Sequence, residues 1–356
     1  MKLTIGTARL QAVLNKAVKG AGCNKLIPMT SLIAIKLSDG VLTLTTTDAT
    51  NYLSLTEKEV AGDDLYVAVQ IDLLAKLVSR MTCKEVTLEV ENNYLNVIGN
   101  GQYQIDIPLE DDGTPVKLPN PIATFDKGNQ VGTVNSAEIA TTLTSVKPAL
   151  ATKADYPWYT CYYVGNAIMA TDTYMIANYE KGFLAEPKLV SPIVMDLLGL
   201  LTDSVINVYL NDDKMLFETD CGAVYGIVPA GIENYSITEL NGLVEQEFDY
   251  SCVISKSALL NLLDRISLFV GEYDNGKIAL TFNKDYLEVT SRYASEMIEY
   301  TDKENAGDFV CSTDVATLIA QIKAQTSSEV TIEYGKDNAI KILDGDITSV
   351  VALLEE

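Results

Sequence analysis

Three stretches of the chain repeat one pattern of alternating polar and apolar residues around a short polar turn. They run from Glu85 to Ile98, from Ser204 to Glu218 and from Glu329 to Ile342. Alternation with a period of two is typical of half-buried β-strands, and Asn, Asp, Gly and Lys at the centre favour a tight turn. The sequence therefore predicts three β-hairpins.

A helical stripe of apolar residues precedes each hairpin at the same distance. The stripes follow an i, i+3, i+7 pattern and end eight residues before a hairpin valine. They are Ile71, Leu74 and Val78; Val190, Ile193 and Leu197; and Val315, Leu318 and Ile322. The hairpin valines Val86, Val205 and Val330 recur after 119 and 125 residues. An interval of that length corresponds to a whole domain. The sequence predicts three copies of one fold, in domains at residues 1–123, 124–247 and 248–356.

Each predicted copy begins with an amphipathic segment that favours a helix. These segments are Thr7 to Ala21, Ser136 to Leu150 and Ser255 to Ile266. Their first residues, Thr7, Ser136 and Ser255, are candidate N-caps. With the extended runs that follow, each copy has two helices and about eight strands. This content predicts an α+β class, with two helices packed on antiparallel sheets in each copy. Linkers are predicted at residues 111–129 and 230–247.

The composition is that of an ordinary globular chain. Hydrophobic residues make up 47% of the 356 positions and charged residues 21%, which is enough apolar material for three cores. The first residues contain no apolar run of signal-peptide length, and no stretch has the length of a membrane span. We therefore expect a cytoplasmic protein.

The absence of histidine excludes several kinds of chemistry. Serine and cysteine nucleophiles lose their usual base, and His-ligated metals are ruled out. The six cysteines occur singly, without the close spacing of zinc sites, so we expect buried thiols, no metal and no cofactor. They are Cys23, Cys83, Cys161, Cys221, Cys252 and Cys311. We expect no catalytic site, although an enzyme that uses carboxylates on a repeated scaffold remains an alternative.

The formal charge of −23 argues at first against nucleic acid as a partner, because a polyanion is attracted to basic surfaces. The distribution of charge is more informative than the sum. Basic residues fall on or directly after the predicted helices, away from the apolar stripes, whereas acids dominate the hairpins and loops. These basic residues are Lys16, Lys19, Lys76, Arg80, Lys147, Lys153, Lys256, Arg265 and Lys323.

Short motifs follow one another in a fixed order over the whole length of the chain. They are Ile27-Pro28-Met29 and the run from Asp39 to Asp48, then Ala170-Thr171-Asp172, and then Ile232 to Tyr235. In this order they resemble the motifs of the bacterial DNA polymerase III beta subunit, the sliding-clamp family. The first two resemble its first domain, the third its second-domain "ATDGHRL" segment, and the last its "FPDY" segment. The resemblance implies a homodimeric ring that encircles double-stranded DNA without sequence specificity and acts as a processivity factor. It also implies that the basic residues of the helices are the DNA-binding residues. DNA polymerase and clamp loader subunits are the implied partners.

The resemblance also implies a pocket for partner peptides between the second and third domains. Carried over by position, the pocket contains Thr171, Thr173, Tyr174, Met175, Ile176, Glu233, Ile237, Thr238, Val350, Val351, Ala352, Leu353 and Leu354. Thr173 to Ile176 replace the family's "GHRL", and Glu233 replaces its proline. The tail lacks the usual Pro, Met and Arg. The peptide preference therefore stays open. We expect an exposed apolar tail, with a final edge strand as the alternative.

The ring requires an edge strand of the first domain to pair with one of the third domain in the partner protomer. The candidate segments are residues 76–104 and 268–301, and the sequence does not choose among their strands. The second predicted domain is poor in basic residues on its second helix. This favours an alternative function, a clamp-fold scaffold that binds proteins but has weak or lost DNA loading.

Overall fold

The computed structural model describes residues 1–22, 24, 26–153, 155–271 and 276–355. The chain divides into two compact units. Unit 1 consists of Met1–Ser136 and Ile193–Val228, and unit 2 of Ala137–Pro192 and Pro229–Glu356. The boundaries of the three sequence copies stay a prediction.

Unit 1 is built on two antiparallel sheets. Its strands are β1 (Lys2–Gly6), β2 (Leu32–Ser38), β3 (Val41–Thr47), β4 (Tyr52–Glu57), β5 (Ala61–Gly62), β6 (Leu65–Gln70), β7 (Glu85–Glu91), β8 (Tyr94–Ile98), β9 (Gln102–Asp106), β10 (Gln130–Asn135), β15 (Val205–Asn211), β16 (Lys214–Thr219) and β17 (Gly222–Ile227). Five strands pair in the order β5-β1-β7-β8-β9, and eight in the order β10-β15-β16-β17-β4-β3-β2-β6. Strand β9 is thus a free edge of the smaller sheet.

Two helices of unit 1, α1 (Thr7–Ala17) and α2 (Ile71–Val78), lie against each other. The predicted apolar face of α2, Ile71, Leu74 and Val78, is fully buried. The side-chain amide of Gln11 on α1 donates to the backbone oxygens of Val78 and Met81, at 2.9 and 3.1 Å. These bonds tie α1 to the backbone where α2 ends.

Unit 2 has the same kind of architecture. Its strands are β11 (Tyr162–Val164), β12 (Ile168–Thr171), β13 (Met175–Tyr179), β14 (Lys188–Val190), β18 (Tyr250–Ser255), β19 (Lys277–Phe282), β20 (Tyr286–Thr290), β21 (Ser295–Glu299), β22 (Phe309–Asp314), β23 (Glu329–Tyr334), β24 (Ala339–Asp344) and β25 (Ile347–Ala352). Eight pair in the order β14-β11-β12-β13-β25-β24-β23-β18, and four in the order β21-β20-β19-β22.

The remaining helices are α3 (Ser136–Thr141), which continues as a π-helical turn to Val146, α4 (Pro192–Leu198), α5 (Ile237–Val244), α6 (Lys256–Ser267) and α7 (Val315–Ala324). In unit 2, α6 and α7 pack together over a core that includes Leu259, Leu263, Leu318 and Ile322. The three predicted hairpins are confirmed as β7-β8, β15-β16 and β23-β24. The order of elements along the chain also repeats three times.

Two predictions about helices were wrong. In the second copy Val190 belongs to β14 and Ile193 is half exposed, whereas Val194, Met195, Leu197 and Leu198 are the buried residues of α4. The stripe there was shifted because a strand residue and a helix residue matched the helical period by chance. Thr7 is not an N-cap, since Gly6 holds that position. Ser255 is the N-cap residue of α6, as predicted, but its side chain makes no capping hydrogen bond.

The C-terminal segment is not an exposed tail, nor a final edge strand. Strand β25 lies inside the eight-stranded sheet of unit 2, paired with β13 on one side and β24 on the other. Val350 and Val351 are buried, with 3% and 0% exposure. The predicted linker at residues 230–247 likewise contains a helix, α5.

Candidate functional site

The helices of unit 1 carry cations that are not neutralised. Lys16 lies in the last turn of α1, and Lys19 and Arg80 are exposed just beyond the ends of α1 and α2. Within the described part of the chain, no ion pair involves these three side chains. Lys76 differs, because it pairs with Asp72 one turn earlier at 3.4 Å. The positive charge of Lys16, Lys19 and Arg80 is therefore available to an anionic partner.

The helices of unit 2 carry cations that are largely paired. Arg265 on α6 forms two hydrogen bonds with Glu296 on β21, which raise the pKa of Arg265 and lower that of Glu296. Lys323 on α7 lies 3.8 Å from Asp264. Lys256 donates to the backbone oxygens of Lys323 and Gln325 and so caps the end of α7. These predicted DNA-binding residues carry less free charge than their counterparts in unit 1.

The remaining predicted cations, Lys147 and Lys153, are not on a regular α-helix. Lys147 begins a 3-10 turn and is half-buried. Lys153 is exposed and lines a cavity of about 420 Å³. The cavity also contains Thr173, Tyr174 and Met175 of the predicted peptide pocket.

A tight turn between β12 and β13 positions the pocket residues. The Thr171 hydroxyl donates to the Met175 carbonyl at 2.7 Å and accepts from the Thr173 N–H at 3.1 Å. The Asp172 carboxylate accepts from the backbone N–H groups of Tyr174 and Met175, both at 2.9 Å. Thr173 has a positive φ of 81°, a conformation that costs about 1–2 kcal/mol for a residue other than glycine. The turn leaves the Tyr174 side chain 67% exposed.

The opposite side of the cavity is a loop that the sequence prediction missed. This segment contributes Pro148, Leu150, Lys153, Tyr156 and Tyr159 to the cavity lining. Behind it, Trp158, Tyr159, Tyr163 and Tyr235 form a chain of aromatic contacts with ring centroids 5.1–6.0 Å apart. Burial raises the pKa of Tyr235, so its phenol stays neutral. The aromatic run from Tyr156 to Tyr163, with the chain's only tryptophan, was the available signal.

The other predicted pocket residues divide into core and surface positions. Ile176 and Val350 are buried in one apolar cluster with Tyr159, Tyr235 and Leu240, and the half-buried Ile237 packs against it. Val351 belongs to the neighbouring core cluster, and Leu353 packs against that cluster. Glu233 and Thr238 are exposed, while Ala352 and Leu354 are partly exposed. The cavity is thus formed by the turn at residues 172–175 and the aromatic loop, and Ile176, Ile237 and Val350 lie in or against the apolar cluster behind Tyr159.

The cysteines that the structure describes are free thiols, namely Cys83, Cys161, Cys221, Cys252 and Cys311. Cys23 lies outside the described residues. Burial raises the pKa of Cys252 and of Cys311 to about 12. Across the described ranges, no group of three or more Cys, Asp or Glu side chains could hold a metal ion.

Over the same described ranges, no helix is both long and apolar enough to cross a lipid bilayer.

Comparisons with known proteins show what the chain is similar to. Residues 1–112 match the family of the DNA polymerase III beta subunit, N-terminal domain. A search of curated proteins gave no match. The fold matches the sliding clamp of Bacillus subtilis, with a TM-score of 0.84 at 17% identity over 100% of this chain and 99% of that chain. The chain has the fold of a bacterial sliding clamp.

Two further clamps show the same full-length likeness. The beta subunit of Streptococcus pyogenes DNA polymerase gives a TM-score of 0.85 at 15% identity, with 100% of both chains covered. The clamp of Bartonella birtlesii, solved bound to griselimycin, gives 0.82 at 14% identity, again over 100% of both chains. The resemblance seen in the motifs and the predicted α+β clamp fold are both confirmed.

Proposed function

We propose that this protein is a DNA sliding clamp, a processivity factor that tethers a replicative polymerase to duplex DNA. The observation that carries the proposal is the full-length fold match, which covers 100% of this chain and 99% of the Bacillus subtilis clamp. The chain acts as an accessory subunit in the cytoplasm and has no catalytic site of its own. Its three domains correspond to residues 1–123, 124–247 and 248–356.

The unpaired cations of unit 1 support contact with DNA. Lys16, Lys19 and Arg80 can meet phosphates without reading bases, because a phosphate contact carries no sequence information. Such contacts hold DNA weakly and let it slide. The other predicted cations, Lys76, Lys147, Lys153, Lys256, Arg265 and Lys323, are proposed as further phosphate contacts within their own units. In a closed ring, topology retains the DNA, so a strongly acidic protein needs only a modest basic lining.

A second copy of the chain is the proposed partner that closes the ring. In unit 1, β9 is a free sheet edge whose Tyr103 side chain is 41% exposed. In unit 2, β21 is a free edge that carries Met297, 63% exposed, and α6 contacts this strand. Leu268 and Phe269 extend the apolar surface at the end of α6, with 80% and 50% exposure. An edge strand beside exposed apolar side chains favours pairing with another chain. We propose that β9 of one protomer pairs with β21 of the other.

The mass in solution tests this pairing directly. Sedimentation equilibrium should give about twice the chain mass of 38.7 kDa, and replacing both Leu268 and Met297 with Ser should give the monomer. The matched control replaces the exposed residues Leu73 and Val205 of unit 1, and this variant should stay dimeric. A monomeric wild-type protein at all accessible concentrations would contradict a ring.

The aromatic cavity of unit 2 is the proposed pocket for polymerase and clamp loader peptides. Its exposed Tyr174 and the half-buried Met175 offer apolar contact surface beside backbone groups. Griselimycin, the compound bound to the Bartonella birtlesii clamp, is a suitable probe. We expect it to bind this protein and to bind less tightly when Met175 is replaced by Ala. Equal binding by the Met175→Ala variant would place the pocket elsewhere.

One alternative has an observation in its favour. The paired cations of unit 2 reduce the free positive charge, as in a clamp-fold scaffold that binds proteins but loads poorly on DNA. A dimer that binds griselimycin but shows no salt-sensitive DNA binding would support the scaffold. Salt-sensitive binding that depends on Lys16, Lys19 and Arg80 would support the clamp.

A further inference from the structure

A lysine lies buried at the end of helix α5. Lys341 is on β24, 8% exposed. Its Nζ donates to the Gln246 carbonyl at 2.7 Å and to the Val244 carbonyl at 3.4 Å, and it pairs with the Glu333 carboxylate at 2.8 Å. Three oxygen atoms thus surround one ammonium group. Such burial is rare unless the charge is paired and hydrogen-bonded.

Two neighbouring contacts hold the same stretch of chain. Gln246 and Asn338 form a reciprocal amide pair, with N···O distances of 3.1 and 3.0 Å. The Phe248 ring lies over the Lys341 ammonium at 5.2 Å, within the range of a cation–π interaction. The end of α5 and the residues that follow it, 244–248, are therefore held against the β23-β24 hairpin.

The ammonium also suits the helix end electrostatically. Val244 is the last residue of α5, and the carbonyls beyond it are free of intrahelical partners. The C-terminus of a helix carries a partial negative charge, so a cation there stabilises it. An isolated helix of eight residues is unstable in water, so α5 depends on such contacts.

The buried side of α5 packs on the apolar cluster behind the proposed pocket. Leu240 is buried with Ile176, Val350 and Tyr159, and Ile237 packs against this group. Helix α5 contacts strands β13 and β25. Strand β13 begins with Met175, which lines the cavity. The position of α5 therefore supports Tyr159 and Met175, which line the cavity.

We propose that Lys341 is a positioning residue for the peptide pocket. It anchors the C-terminal end of α5 and thereby fixes the apolar cluster of Leu240 and Tyr159, of which Tyr159 lines the pocket, without contacting the peptide. The effect on ligand binding rests on the proposed function, but the anchoring of α5 does not. Neither Lys341 nor its partners appear in the sequence-predicted pocket.

Hydrogen exchange of the full chain tests the anchoring without a ligand. In the Lys341→Met variant we expect exchange of the α5 backbone amides to rise about tenfold, because hydrogen bonds to a charged group are lost. Lys341→Arg should restore much of the protection, since it keeps a cation with several donors. Unchanged exchange in Lys341→Met would overturn the proposal.

Asp344 provides a matched control on the same strand. It is buried and accepts hydrogen bonds from the backbone and hydroxyl groups of Thr326 and Ser327. Asp344→Asn should lower overall stability but leave α5 exchange at the wild-type rate. If Asp344→Asn raised α5 exchange as much as Lys341→Met, the effect would be general destabilisation and the proposal would be wrong.

Griselimycin binding tests the consequence for the pocket. We expect its dissociation constant to rise about tenfold in Lys341→Met and to stay unchanged in Asp344→Asn. Equal binding by both variants would refute the link from Lys341 to the pocket. Failure of the wild-type protein to bind griselimycin would count against the proposed pocket, whereas the exchange experiment would still decide the role of Lys341.

Discussion

The two compact units have similar elements but different surfaces. Each has an eight-stranded sheet, a smaller sheet and a pair of packed helices. In unit 1 the helical cations Lys16, Lys19 and Arg80 are unpaired within the described chain, whereas in unit 2 Arg265 and Lys323 face Glu296 and Asp264.

The two units also share one turn, but the side chains that it presents differ. In unit 1 the Thr47 hydroxyl bonds the Asn51 carbonyl, and the Asp48 carboxylate accepts from two backbone N–H groups. Thr171 and Asp172 make the same bonds in unit 2. The turn geometry thus belongs to the fold. Only in unit 2 does the turn present an exposed tyrosine beside the aromatic cavity. We infer that unit 1 supplies more of the DNA contact and unit 2 the partner contact.

Reversal of the unit 1 cations should give the largest effect. We expect the Lys16→Glu, Lys19→Glu and Arg80→Glu triple variant to lose most of its DNA binding, by a factor of about 100 or more at low salt. Each lost phosphate contact makes the negative slope of log K against log salt shallower by about 0.9. Fluorescence anisotropy with labelled duplex DNA over a salt series measures both quantities.

The matched control reverses three other exposed lysines of unit 1, Lys36, Lys117 and Lys214. The charge change is the same, but these residues lie on strands or a loop. Their variant should keep most of its affinity. Similar losses in both triple variants would show that net charge, and not the helical surface, controls DNA binding.

Substitution at the shared turn should give the next largest effect. Tyr174→Ala is expected to weaken griselimycin binding about tenfold, because an exposed aromatic contact surface is removed. Thr50→Ala changes the corresponding position of the unit 1 turn and should leave binding unchanged. Calorimetric titration of both variants checks this, and equal affinities would place the pocket outside the turn.

Releasing a paired cation of unit 2 should strengthen DNA binding. In Glu296→Gln we expect affinity to rise by up to about fivefold, because exposed ion pairs are worth at most about 1 kcal/mol. Glu296 has a lowered pKa because of its hydrogen bond from Arg265, so the pair is complete above the usual carboxyl pKa. As the pH falls through this lowered pKa, the wild-type protein should approach the variant.

Asp285→Asn is the control for this release. It frees Lys303, which lies in a loop of the same unit, and should leave DNA affinity unchanged. The dimer mass is measured for both variants because Glu296 is on β21. Weaker or unaltered DNA binding by a dimeric Glu296→Gln would mean that Arg265 does not face DNA.

Glycine at the strained turn positions should give the smallest effect. Thr173→Gly is expected to raise the free energy of unfolding by about 0.5 kcal/mol, since relief of the positive φ exceeds the added chain entropy of glycine. Ala49 has a φ of 85° in the corresponding turn of unit 1. Ala49→Gly should raise the free energy of unfolding by less than Thr173→Gly, because alanine is not β-branched. Urea unfolding of both variants measures the difference, and destabilisation by Thr173→Gly would contradict the strain.

The repeat was predictable from the sequence because hairpins and amphipathic helices leave local periodic patterns. The alternation at Val86, Val205 and Val330 depends only on neighbouring residues, and all three hairpins formed as expected. The motif at Ala170 to Asp172 likewise located the turn. Local chemistry thus identified the elements and the resemblance to the clamp family.

The burial of β25 was not predictable in this way. An apolar C-terminal run suits an exposed tail and a buried strand equally, and pairing with β13 involves residues far apart in sequence. Ion pairs such as Arg265 with Glu296 and the Lys341 anchor are also long-range. The sequence located the cations but could not show which of them the fold neutralises.

The most direct test of the central claim compares circular with linear DNA. Protein diluted until the dimer dissociates is mixed with nicked circular plasmid and concentrated, so that rings reassemble around the DNA by mass action. The account predicts that protein stays with the circle in high salt, which removes electrostatic binding, and is released when one restriction cut linearises the plasmid. Release from the intact circle by salt, or equal retention on the linear DNA, would contradict a sliding clamp.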